Sequence, residues 1–206
     1  MLNRHNSHIF ICGQTRSGKT FFAAHELAQL PDPVLFFNIQ EEQLPRSFIK
    51  VNAARTSYKQ VLEALRAGCK VDLRFPLDEG KTEKIEAFLL KQLLFAGFSE
   101  KKPLYIAVDE CHLLRGAALD YAIQAATRGL KRGIRCVFIT QRPALCSKTL
   151  YTQATDQYIF YLAPSEAAYM KQKGLDYAEM LKTWKKYGQY SHVYFDGFKL
   201  EGRRAV

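Results

Sequence analysis

The octapeptide Gly13-Gln-Thr-Arg-Ser-Gly-Lys-Thr20 constrains this chain more than any other feature. It fits the pattern G-x(4)-G-K-[ST], a loop that works only where a buried strand leads into it and a helix leaves it. Its neighbours meet that demand: His8 to Cys12 reads as a strand, and Lys19 to Leu30 has helical spacing. Gly13 and Gly18 let the backbone turn successive amides inward, and the helix opening near Lys19 adds the positive end of its dipole. Such a concavity binds phosphate. The motif therefore assigns Gly13, Gln14, Thr15, Arg16, Ser17, Gly18, Lys19, Thr20 and Phe21 to nucleotide binding. Lys19 is expected to reach the β- and γ-phosphates of ATP, and the Thr20 hydroxyl to coordinate Mg2+.

A strand ending in an acidic residue should supply the other half of the site, and Leu104-Tyr-Ile-Ala-Val-Asp109-Glu110 does so. Asp109, at the carboxyl end of that strand, is assigned to the metal; Glu110 is assigned to orient or deprotonate the attacking water. A second carboxylate beside the metal ligand serves attack by water, which argues against a simple kinase. The next strand, Arg135 to Thr140, leads into Gln141-Arg142-Pro143. Parallel strands present their carboxyl ends to the ligand, so Gln141 is expected beside the γ-phosphate. His112 is read as a packed or solvent-facing histidine, with proton transfer as the alternative.

Apolar runs at His8–Cys12, Val34–Phe37, Val71–Phe75, Leu104–Val108, Cys136–Thr140 and Tyr158–Leu162 read as buried strands. Lys19–Leu30, Tyr58–Ala67, Glu83–Phe95 and Ala117–Leu130 read as the helices between them. Strict alternation predicts an α/β fold: a doubly wound, mainly parallel sheet with helices on both faces. After Leu162 the pattern changes to short helices at Ser165–Lys173 and Tyr177–Trp184 and a hairpin over Gln189–Leu200 that turns at Asp196-Gly197. Gln40 to Thr56 is expected to be a long loop. With 206 residues and 48% of them hydrophobic, one domain is expected: a core over about residues 8–163 and a C-terminal extension over about 164–206.

The five cysteines make no CxxC pair, which fits buried free thiols in a reducing compartment better than zinc or disulfides. No apolar stretch reaches membrane-spanning length, and the start MLNRHNS lacks a signal peptide's apolar core, so a soluble intracellular protein is expected. The formal charge of +10 favours an anionic partner. Arg128, Lys131, Arg132, Arg135, Arg142 and Lys148 fall between Thr127 and Leu150 with no acidic residue among them. Phe21, Phe22, Phe36, Phe37, Tyr158, Phe160 and Tyr161 are read as packing residues. Tyr187, Tyr190, Tyr194 and Phe195 are assigned to the hairpin, one of them a candidate to line the adenine pocket.

GQTRSGKT, YIAVDE and the stretch TRGLKRGIRCVFITQRP together resemble the FtsK/HerA superfamily of DNA-pumping ATPases, over residues 8 to 143. Within it the short chain resembles the genome-packaging ATPases of membrane-containing icosahedral viruses. The resemblance implies a P-loop NTPase fold of the RecA-like, additional-strand type, and an ATP- and Mg2+-dependent translocase of double-stranded DNA. It also implies a homo-oligomeric ring, hexamer or pentamer, with capsid or inner-membrane vertex proteins as partners, in the host cytoplasm or with the virus particle. An arginine from a neighbouring subunit completes the family's site, and Arg128 is the best match, with Arg132 and Arg142 as competitors. The alternatives are a zonula-occludens-toxin-like phage assembly ATPase and a small-molecule NTP-dependent kinase.

Overall fold

Short runs of β-branched and aromatic residues build the frame because both of their faces can be covered. The computed structural model describes residues 7–75, 79–188, 190–197 and 199–204. The strands are β1 (Ile9–Cys12), β2 (Val34–Asn38), β3 (Phe48–Asn52), β4 (Lys70–Arg74), β5 (Leu104–Val108), β6 (Ile134–Thr140), β7 (Asp156–Phe160), β8 (His192–Phe195) and β9 (Leu200–Arg203). The helices are α1 (Lys19–Ala28), α2 (Tyr58–Arg66), α3 (Glu79–Leu93), α4 (Gly116–Arg128), α5 (Lys148–Gln153), α6 (Pro164–Gln172) and α7 (Tyr177–Tyr187).

Among the described residues nine strands form one sheet in the order β3-β4-β2-β5-β6-β1-β7-β8-β9. β1 to β7 are mutually parallel, and β8 and β9 close the edge antiparallel. β6 lies between β1 and β5, the inserted strand that the resemblance implied. Alternation along each strand divides the core. Ile9, Ile11, Tyr105 and Ala107 face α1, whereas Phe10, Cys12, Ile106 and Val108 face the layer that α2 to α7 contribute to.

Several boundaries differ from the expectation. The stretch 40–56 is not all loop: Phe48–Asn52 forms β3, the sheet's edge, joined to β2 without a helix. The alternation of strand and helix is therefore not strict. β7 starts two residues earlier than its apolar run, because Asp156 is buried by hydrogen bonds from Ser7 and Tyr194. The hairpin exists as β8 and β9, with the Lys199 amide donating to Asp196 Oδ1 at 2.7 Å; Gln189 and Phe198 lie outside the described residues. Tyr187 belongs to α7 rather than to the hairpin. Through β8 the extension continues the same sheet, Tyr158 opposite Tyr194. The cysteines are free, and all but Cys69 are buried. Among the described residues no helix is long and apolar enough to cross a membrane, and no cluster of His, Cys, Asp and Glu forms a metal site of its own.

Candidate nucleotide site

Because β1, β2, β5 and β6 run parallel, their carboxyl ends deliver Gly13, Gln40, Asp109 and Gln141 to one edge of the sheet. The loop from Gly13 to Thr20 hangs between two strands: the Gly13 amide donates to the Thr140 carbonyl at 3.2 Å, and the Gln14 amide to the Tyr161 carbonyl at 2.8 Å. Gly13 has to lack a side chain, since a Cβ there would lie 2.5 Å from both Ser17 Oγ and Phe160 Cβ. Gly18 sits at φ 90°, in the left-handed region, as N-cap of α1. Arg16 shares that region at φ 63°.

Lys19 is buried, and its ammonium lies 3.6 Å from Glu110 Oε1. Thr20 Oγ1 is 3.4 Å from Asp109 Oδ1, which also accepts the Glu110 amide at 3.1 Å. Asp109 Oδ2 and Ser17 Oγ are buried without a hydrogen-bond partner among the described residues. An unpartnered buried carboxylate oxygen beside a threonine hydroxyl is the donor set that a hard cation such as Mg2+ takes, and the cradle above it fits phosphate. Burial, and after it the charge of Glu110, push the Asp109 carboxyl up to about 7.

Glu110 is held by more partners. Besides Lys19, its Oε1 accepts from Gln40 Nε2 at 3.4 Å; its Oε2 accepts from the Gln141 amide at 3.3 Å and lies 3.2 Å from His112 Nδ1. Burial pushes the Glu110 carboxyl up, but the His112 contact, the Lys19 charge and the Gln141 amide outweigh it and keep it below the ordinary carboxylate range. Glu110 is therefore an ionised base in a site where its neighbour Asp109 is harder to ionise. Its backbone is left-handed, φ 50° and ψ 45°, a conformation that costs a non-glycine residue about 1 kcal/mol or more. The turn that follows is braced by Arg115, which donates to the carbonyls of His112 at 2.5 Å and Leu114 at 2.8 Å.

The Gln141 side chain accepts a hydrogen bond from Thr15, so it borders the phosphate loop. It opens onto a cavity of about 460 Å3 also lined by Gln14, Thr15, Arg142, Leu145 and Glu166. Two residues join the site beyond those assigned to it from the sequence. His112 is buried, not solvent-facing, with its Nδ1 between Glu110 and Thr140 Oγ1 at 3.0 Å. Gln40 comes from the stretch read as loop; a polar residue two positions after a parallel strand was the available signal. Phe21 is 67% exposed and stacks on His25 instead of packing. Tyr190 borders Gly18, whereas Tyr194 is in the core.

The three arginines occupy different places. Arg128 ends α4 at the amino ends of the strands, a helix length of about 20 Å from its own site. Arg132 donates to the Leu94 carbonyl at 3.1 Å and covers the Phe95 ring at 4.6 Å. Arg142 is exposed beside its own chain's loop.

Fold and site geometry define a P-loop NTPase fold with an additional strand, β6, between β1 and β5. No protein-family model matches the chain, and no curated protein matches it either. Solved structures do share its fold. The genome packaging NTPase B204 of Sulfolobus turreted icosahedral virus 2, in complex with AMPPCP, superimposes with a TM-score of 0.72 at 14% identity, covering 97% of this chain and 98% of that one. The B204 DNA-packaging ATPase of Sulfolobus turreted icosahedral virus gives 0.67 at 16% identity, with 98% of both chains covered. ATPases 2 and 3 of Thermomonospora curvata EccC, in complex with a signal sequence peptide, give 0.61 at 14% identity; all of this chain matches 39% of that one.

Proposed function

We propose that this protein hydrolyses ATP and uses the energy to move double-stranded DNA, packaging a viral genome. The observation that carries the reading is the convergence on Glu110: an ionised carboxylate held by Lys19, Gln40, His112 and the Gln141 amide, one residue beyond a metal-type carboxylate. Lys19 and the loop amides bind and orient the phosphates. Thr20 and Asp109 would hold Mg2+, which when bound neutralises phosphate charge. Glu110 orients a water or takes its proton, and Gln141 lies where it can hydrogen-bond the same water.

The translocation half rests on the likeness to packaging NTPases over nearly the whole of both chains and on the net charge of +10. The EccC match, a complex with a signal sequence peptide, covers a smaller share of that chain, so a reading with a peptide as partner has less support. In this account the protein works as a ring of five or six copies in which Arg128 acts on a neighbour's γ-phosphate, an assignment that rests on the family resemblance. The test is ATP turnover with and without duplex DNA at low salt, together with particle mass with and without nucleotide. Stimulation by DNA in an oligomer of defined size is expected. An assembled particle whose turnover ignores DNA contradicts translocation.

A further inference from the structure

The end of the sheet opposite the nucleotide site carries a concentration of positive charge. Three segments meet there: the end of α2, the chain from Leu94 to Lys102, and the turn from Arg128 to Gly133. Their proximity follows from specific contacts. Arg66 donates to the Ala96 carbonyl at 3.0 Å, and Arg132 to the Leu94 carbonyl at 3.1 Å. Gly133, at φ 69°, packs directly on the backbone of Ser99, where a Cβ would collide. The Lys102 amide returns to the Ser99 carbonyl at 3.1 Å, closing a tight turn with Glu100 and Lys101 at its tip.

The result is a patch in which Arg66, Lys101, Lys102, Lys131 and Arg132 are all exposed. The acidic residues near it are Glu100 at the turn's tip, Glu63 three residues before Arg66, and Asp32 at the entry to β2. Helix dipoles explain only part of it. Arg66 and Arg128 close helices, where a cation is favoured on local grounds. Lys101 and Lys102 belong to no helix and so have no such local reason. The two guanidinium groups that touch carbonyls are held in place instead of trailing in solvent, and Phe95, 70% exposed under Arg132, gives the patch a flat apolar floor. Like charges crowded on short turns repel one another, a cost that an anionic ligand relieves.

We propose that this amino-end surface, formed by Arg66, Lys101, Lys102, Lys131 and Arg132, docks the phosphate backbone of duplex DNA. The inference rests on the DNA reading given above and adds where the contact lies. The surface is separated from the nucleotide cradle by the height of the sheet. Within one chain the grip is therefore distinct from the site of hydrolysis, and ATP bound there does not compete with DNA for the same cations. Arg128, at the start of the same turn, is the residue assigned to a neighbour's site and is left out of the surface. Turn-borne lysines and a guanidinium pair contact phosphate oxygens without reading bases, so binding should be indifferent to sequence.

The experiment measures binding of a short duplex to the full chain by fluorescence anisotropy across a salt series. Three proteins are compared: wild type, a Lys101→Ala/Lys102→Ala/Lys131→Ala variant, and a control that loses the same charge elsewhere, Lys50→Ala/Lys59→Ala/Lys171→Ala. Each phosphate contact contributes about 0.9 to the slope of log affinity against log salt, so the patch variant should lose about 2 to 3 from that slope. Near 0.1 M salt its affinity should drop on the order of a hundredfold. Its ATP affinity and its DNA-free turnover should match wild type. As a check independent of folding, Lys101, Lys102 and Lys131 of the wild type should be protected by duplex from chemical acetylation read by mass spectrometry. Equal losses in patch and control variants, or unprotected patch lysines in a wild type that binds DNA, overturn the surface while leaving the DNA reading intact. A wild type that binds no duplex at low salt overturns both.

Discussion

The ammonium of Lys19 stands 3.6 Å from Oε1 of Glu110, and both side chains are buried. The cation that must meet the phosphates is thus also a counter-charge for the base. Nucleotide phosphates compete with Glu110 for it, so ATP binding and the state of the base are linked through one side chain. Lys19→Ala removes both functions. We expect ATP affinity to fall beyond detection in an equilibrium titration, because no other side chain of the loop supplies a buried cation. Near wild-type affinity would show that phosphates bind elsewhere.

His112 touches Glu110 and Thr140 and no residue of the phosphate loop among the hydrogen bonds described. It is a positioning residue. His112→Ala should leave ATP affinity within a few-fold of wild type and lower turnover about tenfold to a hundredfold. The pH profile separates this role from mere packing. The His112 contact helps hold the Glu110 carboxyl down, so its loss should move the acid limb of turnover to higher pH. Lower turnover with an unmoved limb would mean that His112 only supports the turn.

Glu86 offers a stability test away from the site. It is buried on α3, one oxygen has no partner, and burial followed by the nearby charge of Glu83 pushes it up to about 7 from the ordinary 4.5. A folded-state value above the unfolded one stabilises fully below pH 4.5, and that contribution is lost as pH rises to about 7. Glu86→Gln does not titrate. Relative to wild type it should therefore gain stability from pH 5 to pH 8, by on the order of 3 kcal/mol. A pH-independent difference in denaturant midpoint would count against a buried, protonated Glu86.

Much of this architecture was legible in advance because its signals are local. The loop from Gly13 to Thr20 and the strand ending at Asp109 each announce themselves within ten residues. What escaped was set by tertiary neighbours. β3 pairs on one side only and buries mainly Phe48, so Phe-Ile-Lys-Val-Asn lacks the apolar run of a central strand. α5 has six residues, too few for a helical period to be read. Asp156 is a strand residue only because Ser7 and Tyr194, distant in sequence, satisfy its carboxylate. Gln40 and His112 are ordinary polar residues until β2 and β5 pair side by side and bring both to Glu110.

If Arg128 acts on a neighbouring subunit, Arg128→Ala should bind ATP normally and hydrolyse it roughly a thousandfold more slowly. Mixing it with Glu110→Gln subunits should restore part of the activity, since some interfaces then pair an intact base with an intact arginine. Arg142→Ala and Arg132→Ala are the comparisons. Rescue of either one in place of Arg128→Ala would move the assignment, and no rescue by any of the three would place the whole reaction within one chain.

The most direct test of the central claim is to separate ATP binding from ATP cleavage in Glu110→Gln. The amide keeps the shape of the side chain and can still accept from the Gln141 amide, while Asp109, Thr20 and the loop are untouched. Bound ATP and released phosphate should be measured on the same sample with magnesium present. The account predicts wild-type occupancy by ATP and turnover reduced by two to four orders of magnitude, the scale typical of losing a general base. Turnover at the wild-type rate with ATP bound would contradict it, because Glu110 would then not be the group that activates water.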